Sequence, residues 1–144
     1  MAVLTFQGDR ELLKTLKRIR DYNYLESGLY ASVKAGAKPI IASAKALAPR
    51  RTGQLRRSIG VKTKAYTRNE TVVGVIGPRS GFATVDDNGN RIDPNKYAHL
   101  VELGHGGPKP APPHPFLRPA FEANKNNAIA QARKIMWQKI QSRL

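Results

Sequence analysis

The sequence predicts an α+β fold in which helices pack on one face of a small antiparallel sheet and a long helix ends the chain. Three observations predict it. Apolar residues recur at helical spacing near both ends of the chain, one short central stretch alternates like a strand and a second is apolar throughout, and 40% of the 144 residues are hydrophobic. A chain of this length forms one ordinary core, so we expect a single domain over residues 1–144.

The first expected element is a short amphipathic helix over residues 9–21. Asp9 stands before it as a suitable N-cap, because its carboxylate can accept an N–H of the first helical turn. The apolar residues that recur at helical spacing are Leu12, Leu13, Leu16 and Ile19.

A second and longer helix is expected to begin near Ser27 and to stop by Ala48. Its apolar residues follow a period of about 3.6, and its lysines lie off that stripe. We expect a kink at Pro39, because proline lacks the N–H that an interior helical residue donates. Pro49 disfavours helical backbone in the residue before it, which ends the helix.

Two strands and a long loop are expected next. Residues 58–66 alternate between apolar and polar side chains, which predicts a strand with one wet face. The stretch "TVVGVIG", residues 71–77, is apolar on both faces and is expected to be the buried partner, joined by a turn over residues 67–70. Residues 78–95 are expected to be a long loop, of a length typical of functional or flexible loops, whose Asn88-Gly89 tip forms a small hairpin.

The stretch "KYAHLVELG", residues 96–104, is expected to form a third strand. The proline-rich residues 105–115 then predict a stiff, extended arm that either lies on a neighbouring subunit or connects two elements of one domain. A helix is expected from Pro119 to residue 143, since a proline in the first helical position forfeits no hydrogen bond. Its apolar face is expected to carry Leu117, Phe121, Ala128, Ala132, Ile135, Met136 and Ile140.

Charge is unevenly distributed along this strongly basic chain. Lysine and arginine total 25 against 10 acidic residues, a net charge of +15. Residues 34–68 contain ten basic residues and no acidic one, whereas acids occur at the N-terminus and at Asp86, Asp87 and Asp93. This polarity would let one end of a subunit attract the other end of a neighbour and close a ring. The alternative is a solvated basic face without a specific partner.

The composition also excludes several kinds of site. The chain has no cysteine, which excludes disulfides and thiolate metal sites. No apolar run approaches the roughly 20 residues that cross a bilayer, and the first residues lack the layout of a signal peptide. We therefore expect a soluble, intracellular protein without a membrane partner.

No catalytic or metal-binding pattern stands out. If residues 96–104 form a strand, His99 and His105 share one face and Glu102 points to the other, so these three side chains do not converge on a metal. No nucleophile elbow, phosphate-binding glycine loop or placed pair of carboxylates is present. We expect neither a cofactor nor enzymatic activity.

A basic nucleic-acid-binding module is the alternative function that the residues suggest. The candidate phosphate ligands are Arg50, Arg51, Arg56 and Arg57, flanked by Thr52 and Ser58. Because no base-reading motif and few aromatic residues surround them, only non-specific phosphate contacts are expected.

Three blocks carry a resemblance to a known family: "APRRTGQLRRSI" (residues 48–59), "YAHLVELG" (97–104) and "PHPFLRPAFE" (113–122). In this order and spacing, they resemble the tail-component family of long-tailed bacteriophages named after gene product ten of phage HK ninety-seven. The resemblance implies a neck or tail-completion protein that joins the DNA-filled head to the tail as a ring of copies, six favoured and twelve permitted, without catalysis. Its implied partners are head-closure or connector proteins and tail-tube or tail-terminator proteins, first in the host cytoplasm and then in the virion.

The resemblance also assigns residues. The family's blocks fall on Pro49, Thr52, Gly53 and Leu55, on Tyr97, Ala98, Glu102 and Gly104, and on Pro115, Phe116, Leu117, Arg118 and Pro119. The chain departs from the family at Leu103, where an aromatic residue is usual, and at His105, where threonine is usual. Glu102 is expected to pair with Arg118 or with an arginine of residues 50–57. The predicted subunit or partner interface comprises Arg50, Arg51, Thr52, Gly53, Arg56, Arg57, Tyr97, Glu102, Gly104, His105, Pro115, Phe116 and Arg118.

Overall fold

The computed structural model describes residues 9–19, 21–66, 68 and 70–144. The described helices are α1 (Asp9–Ile19), α2 (Tyr22–Leu47), α3 (Gln54–Ser58), α4 (Pro94–Leu103) and α5 (Leu117–Gln141). The described strands are β1 (Ile59–Tyr66), β2 (Thr71–Pro78), β3 (Thr84–Val85) and β4 (Arg91–Ile92). This is the α+β arrangement that the sequence predicts, with a small antiparallel sheet and a long C-terminal helix.

Helix α1 covers most of the range predicted for the first helix. Leu13 and Leu16 on its apolar stripe are 53% and 51% exposed, so they do not join the core as a buried face would. The side chains of Asp9, Leu12 and Ile19 lie outside the described part of the chain, and the N-cap at Asp9 stays a prediction.

Helix α2 begins at Tyr22, about one turn before the predicted start near Ser27. The earlier start has a local cause, because the side chain of Asp21 accepts the N–H of Asn23 at 3.2 Å and caps the helix. The helix ends at Leu47, before Pro49, as predicted. It continues through Pro39, and the kink expected there stays a prediction.

Helices α2 and α5 pack antiparallel along most of their lengths. Gly28 of α2 lies opposite Met136 and Lys139 of α5, and Gly36 lies opposite Ala128 and Ala132. Between these glycines Ser32 is buried, and its hydroxyl donates to the carbonyl of Gly28 at 2.7 Å. Small residues thus allow the two backbones to approach closely.

The β1–β2 hairpin packs on another side of α2, which is therefore the central helix. The strands pair antiparallel from Ile59 opposite Pro78 to Tyr66 opposite Thr71, which confirms the predicted pair. The connecting turn includes Thr67 and Asn69, which lie outside the described residues. The predicted burial of β2 on both faces is wrong for the single chain, because Val73 and Val75 are 41% and 65% exposed.

The segment between β2 and α4 contains the small hairpin expected for residues 78–95. Thr84 pairs with Ile92 and Val85 pairs with Arg91. Gly89 takes a φ of 80° at the tip, a left-handed conformation that glycine adopts without steric cost.

The third predicted strand is wrong, because most of "KYAHLVELG" lies in helix α4. Asp93 accepts the N–H of Asn95 at 3.1 Å as the N-cap, and Pro94 occupies the start of the helix, where its missing N–H costs nothing. Helical spacing then places Tyr97 and Val101 together against the core.

Helix α5 begins at Leu117, two residues before the predicted start, so Pro119 lies in its first turn. A proline is tolerated there because the first N–H groups of a helix lack intrahelical acceptors. The prediction that Phe121 belongs to the buried apolar face is wrong, because Phe121 is 50% exposed and the neighbouring Ala120 is completely buried.

The core lies where the C-terminal half of α2 meets α3, β1, α4 and the start of α5. Its buried apolar residues are Ile40, Ala44, Ala48, Leu55, Ile59, Ala98, Phe116 and Ala120. None of the described helices is long and apolar enough to cross a membrane.

The close approach of α2 and α5 predicts opposite outcomes for two glycine-to-alanine changes. In Gly36→Ala, the new Cβ would lie 2.8 Å from the backbone carbonyl oxygen of Ala128. We expect a loss of about 1–2 kcal/mol in the free energy of unfolding, because overpacking outweighs the gain in helix propensity. In Gly28→Ala, the Cβ meets only the flexible side chains of Lys139 and Met136, at 3.2 Å each.

Gly28→Ala therefore serves as the matched control and should be neutral or stabilising by up to about 1 kcal/mol. Urea denaturation of both variants measures the difference. Equal stability of the two variants would contradict the assigned packing of α2 on α5.

Candidate functional site

The carboxylate of Glu102, near the end of α4, occupies the N-terminus of α5. The backbone N–H groups of Phe116 and Leu117 donate to its Oε2 at 2.8 and 3.0 Å, and that of Arg118 donates to Oε1 at 3.0 Å. These N–H groups have no acceptor within the helix, and the positive end of the helix favours a carboxylate. Glu102 thus pairs with Arg118 of its own chain through the backbone, not through the guanidinium that the sequence suggested.

The environment of Glu102 keeps its carboxylate ionised. Desolvation raises the pKa of this group, and the three N–H donors together lower it further than burial raises it, so the pKa lies below its ordinary value. The contact between α4 and α5 therefore strengthens as the carboxylate loses its proton.

The backbone conformation at residue 104 explains why a glycine follows α4. Its φ is 72° and its ψ is 172°, which is a region essentially restricted to glycine. A Cβ at this position would lie 2.8 Å from the nitrogen of Pro113 and 2.9 Å from the carbonyl oxygen of Ala111. Both the backbone angle and the space require glycine.

Residues 105–115 fold back on their own chain and connect α4 to α5 in this subunit, and contact with a neighbouring subunit stays a prediction. His105 and Ala111 exchange backbone hydrogen bonds of 3.0 and 2.9 Å, and the N–H of His114 donates to the carbonyl of Val101 at 2.8 Å. Phe116, at the end of the segment, is fully buried in the core. The segment is a closed, exposed loop anchored at both ends.

Arg56 has a structural contact within the chain. Its Nε donates to the carbonyl of Lys45 at 2.6 Å, and its Nη2 donates to that of Ala46 at 3.4 Å. Carbonyls at the end of a helix lack intrahelical donors, so Arg56 caps the C-terminus of α2. The neighbouring Arg50, Arg51 and Arg57 are exposed.

An open groove of about 960 Å³ lies between the chain around α3, the β3–β4 hairpin, α4 and the 105–114 loop. Five residues of the predicted interface line it: Arg51, Thr52, Gly53, Tyr97 and His105. Four others, Glu102, Gly104, Phe116 and Arg118, lie together at the junction of α4 and α5. Arg50, Arg56, Arg57 and Pro115 do not line the groove.

Sequence reasoning missed the opposite wall of this groove. Asp86 and Asp87 of the β3–β4 hairpin and Leu100 and Val101 of α4 line it. The sequence predicted the two aspartates as part of an acidic end of the subunit, without placing them beside Arg51 and Tyr97 in one groove, and it predicted a strand for the two apolar residues. Asp93 and Pro94 could have indicated the positions of Leu100 and Val101. This pair starts helix α4, and the start of a helix determines on which side each later residue lies.

The groove combines charges of both signs around an apolar floor. Arg51, His105 and His114 provide nitrogen atoms, and Asp86 and Asp87 provide carboxylates. The backbone N–H of Asn90 lowers the pKa of Asp86, since Asp86 accepts it at 2.7 Å and also accepts the N–H of Asn88 at 3.0 Å. Among the described residues, no group of three or more histidine, aspartate or glutamate side chains is placed to hold a metal ion.

Tyr97 lies at the inner side of the groove. Burial raises the pKa of its phenol, and the charge of Asp93 adds to the shift. The phenol is therefore neutral at physiological pH and available to donate a hydrogen bond. The groove as a whole is suited to bind a protein segment that carries both apolar and polar side chains.

The fold and the groove define a small α+β protein with an open interaction surface. The sequence profile of the family described as "Bacteriophage HK97-gp10, putative tail-component" matches residues 10–104, about two thirds of the chain. The chain belongs to this family of phage tail components. Such a component is part of the virion. No curated protein and no solved structure matches the chain significantly.

The family match includes the blocks at residues 48–59 and 97–104 and ends at Gly104. The block at residues 113–122 lies outside it and rests on the resemblance in sequence. The structure links this block to the matched region, since the backbone of Phe116, Leu117 and Arg118 binds Glu102.

The cap at Glu102 predicts a specific loss of stability in Glu102→Gln. A glutamine offers one carbonyl oxygen to three N–H groups and no charge to the helix end, so we expect the free energy of unfolding to fall by about 1–2 kcal/mol at pH 7. Because the folded pKa of Glu102 is lowered, its contribution is fully present above the unfolded pKa and disappears as pH falls through the folded pKa. Wild type and Glu102→Gln should therefore converge at acidic pH.

Glu122→Gln is the matched control, because Glu122 lies exposed on the same helix and pairs only with the exposed Lys125, at 2.8 Å. Its effect should be much smaller than that of Glu102→Gln, because water screens an exposed pair. Denaturation curves measured from acidic to neutral pH give both results. A difference between wild type and Glu102→Gln that stays constant with pH would contradict the charged cap.

The turn at Gly104 predicts that Gly104→Ala disrupts the 105–115 loop. The change forces alanine into an unfavourable φ and against Pro113 and Ala111, and we expect a loss of about 2 kcal/mol or more. Gly106→Ala is the control, since a Cβ added there would meet no atom within 4 Å and the φ of Gly106 is not positive. Hydrogen exchange at the His105 and Ala111 amides should accelerate in the first variant only.

Proposed function

We propose that this tail component is a neck or tail-completion protein that joins the phage head to the tail as a ring of identical copies, six in number or twelve. It is made in the host cytoplasm, assembles there with head-closure or connector proteins and tail-tube or tail-terminator proteins, and acts without catalysis. The observation that carries the proposal is the membership of residues 10–104 in a family of phage tail components.

The groove supports an assembly role. It is wide and open, and it brings Arg51, Thr52 and Gly53 to one surface with Tyr97 and His105, which lie far from them in the chain. Mixed apolar and charged linings of this kind are typical of protein interfaces. A groove of this size also accommodates a short segment of a neighbouring subunit.

The charge distribution supports contact between unlike surfaces. Arg51 lines the groove together with Asp86 and Asp87 of the β3–β4 hairpin, while Arg50 and Arg57 are exposed outside it. Within the described part of the chain, the one ion pair is Lys125 with Glu122, so most basic side chains have no acidic partner in the subunit. Acidic surfaces of neighbouring proteins can supply those partners.

The proposal predicts that the purified protein forms closed rings, alone or on the head or tail protein it joins. Electron microscopy and sedimentation of the protein with its co-produced partners measure the copy number. We expect Arg51→Glu to weaken ring formation about tenfold or more, because it replaces a positive charge by a negative one in a groove that already holds Asp86 and Asp87 and so alters the charge offered to a partner. Lys134→Glu, at an exposed position of α5 away from the groove, is the matched control.

The proposal would be overturned if the protein stayed monomeric in every mixture, or if purified virions did not contain it. DNA binding that falls steeply with salt would instead favour the nucleic-acid-binding alternative. That alternative is tested with Arg50, Arg51 and Arg57 changed together to alanine. Arg56 is kept in this variant, because its loss would uncap α2 and confuse binding with folding.

A further inference from the structure

The outer face of the β1–β2 hairpin has no cover within the described part of the chain. The inner face lies on α2, where a Cβ at Gly74 would meet Val33 and where the N–H of Ala65 donates to the hydroxyl of Tyr30 at 3.0 Å. The register places Lys62 opposite Val75 and Lys64 opposite Val73 on the outer face. Val75 is 65% exposed and Val73 is 41% exposed.

This outer face resembles a protein interface more than an ordinary solvent-exposed sheet face. Scattered exposed valines are normal, but here two valines lie next to each other on one face of an isolated two-stranded sheet. Neither edge of this sheet is paired with another strand among the described residues. Proteins either blunt an unpaired sheet edge with charged side chains or cover it with another element, so this edge is open to a partner that matches its lysines.

The charges on the same face restrict what can cover it. Lys62 and Lys64 are exposed, and neither forms an ion pair within the described residues. Lys64 extends over the ring of Tyr66, with its Nζ 5.1 Å from the ring centre. A suitable occupant therefore presents an apolar side chain next to a carboxylate, so that the valines are buried and the ammonium groups are neutralised.

The β3–β4 hairpin of the same chain presents this combination. Val85 is 68% exposed at the end of β3, and Asp87 is exposed two residues later. Asp86 between them is occupied by the turn, since it accepts the N–H groups of Asn88 and Asn90. Val85 and Asp87 also line the open groove, but their side chains are exposed and can contact another copy.

We propose that the β3–β4 hairpin of one copy docks on the outer face of the β1–β2 hairpin of the next copy, with Val85 against Val73 and Val75 and with Asp87 between Lys62 and Lys64. This inference rests on the proposed ring, because it names the surfaces that its subunits use. The two surfaces differ, so the contact is head-to-tail and propagates around a ring or along a filament.

The absence of cysteine from the chain allows a direct test by cross-linking. One preparation carries Val75→Cys and another carries Val85→Cys. After mixing under conditions of ring assembly, oxidation or a short bismaleimide should join the two variants into dimers and larger chains. Val75→Cys mixed with Ile129→Cys, a similarly exposed apolar position on α5, is the matched control and should give at least about tenfold less product.

Charge reversal gives an independent readout of the same contact. Lys64→Glu, added to the Val75→Cys preparation, should reduce cross-linking to Val85→Cys about tenfold, because the new carboxylate repels Asp87. Asp87→Lys, added to the Val85→Cys preparation, should restore the cross-linking. Rescue by the second reversal distinguishes a direct contact from a general loss of folding.

The outcomes separate this inference from the proposed function. Rings that form without a cross-link between positions 75 and 85, or that resist both charge reversals, would overturn the docking inference and leave the ring intact. A protein that stays monomeric with its partners in every mixture would overturn both.

Discussion

The contact between the Glu102 carboxylate and the first turn of α5 determines how the C-terminal half of the molecule is arranged. One ionised side chain satisfies three N–H groups that the helix itself cannot satisfy. The contact joins α4 to the start of α5, at the end of the 105–115 loop and next to Phe116, which is fully buried in the core. The groove has α4 and this loop as two of its walls, so its shape depends on the same carboxylate.

Elements defined by local signals were predictable from the sequence. The β1–β2 pair and the end of α2 follow from alternation and from Pro49, and the structure confirms both. The prediction of a third strand was wrong because the apolar residues of "KYAHLVELG" suit either a helical or a strand period, and the helix start lies in Asp93 and Pro94 before most of them. The cap and the proline decide in favour of the helix, since together they supply the start signal that a strand does not need.

The sequence predicted which residues belong to the site, but not which of them contact each other in the folded chain. The resemblance identified Glu102 and Gly104, but their functions depend on residues 111–118, which approach them only in the folded chain. Arg56 was expected at an interface or on phosphate, yet it binds carbonyls ten and eleven residues earlier. The outer face of β2 is apolar and was therefore expected to be buried, yet Val73 and Val75 are exposed in the single chain.

The packing of α2 against α5 through glycine, serine and alanine has a mechanical consequence. At Gly36 the backbone of α2 lies against the backbone of Ala128 and the Cβ of Ala132, which cannot change rotamer to absorb a displacement, whereas at Gly28 it meets the flexible side chains of Lys139 and Met136. The pair therefore acts as a rigid strut about 37 Å long, at 1.5 Å per residue. It has the turn of the β1–β2 hairpin near one end and the groove near the other. We expect this pair to pass a displacement at the groove on to the other end of the subunit, because its close backbone contact at Gly36 leaves little room to absorb it.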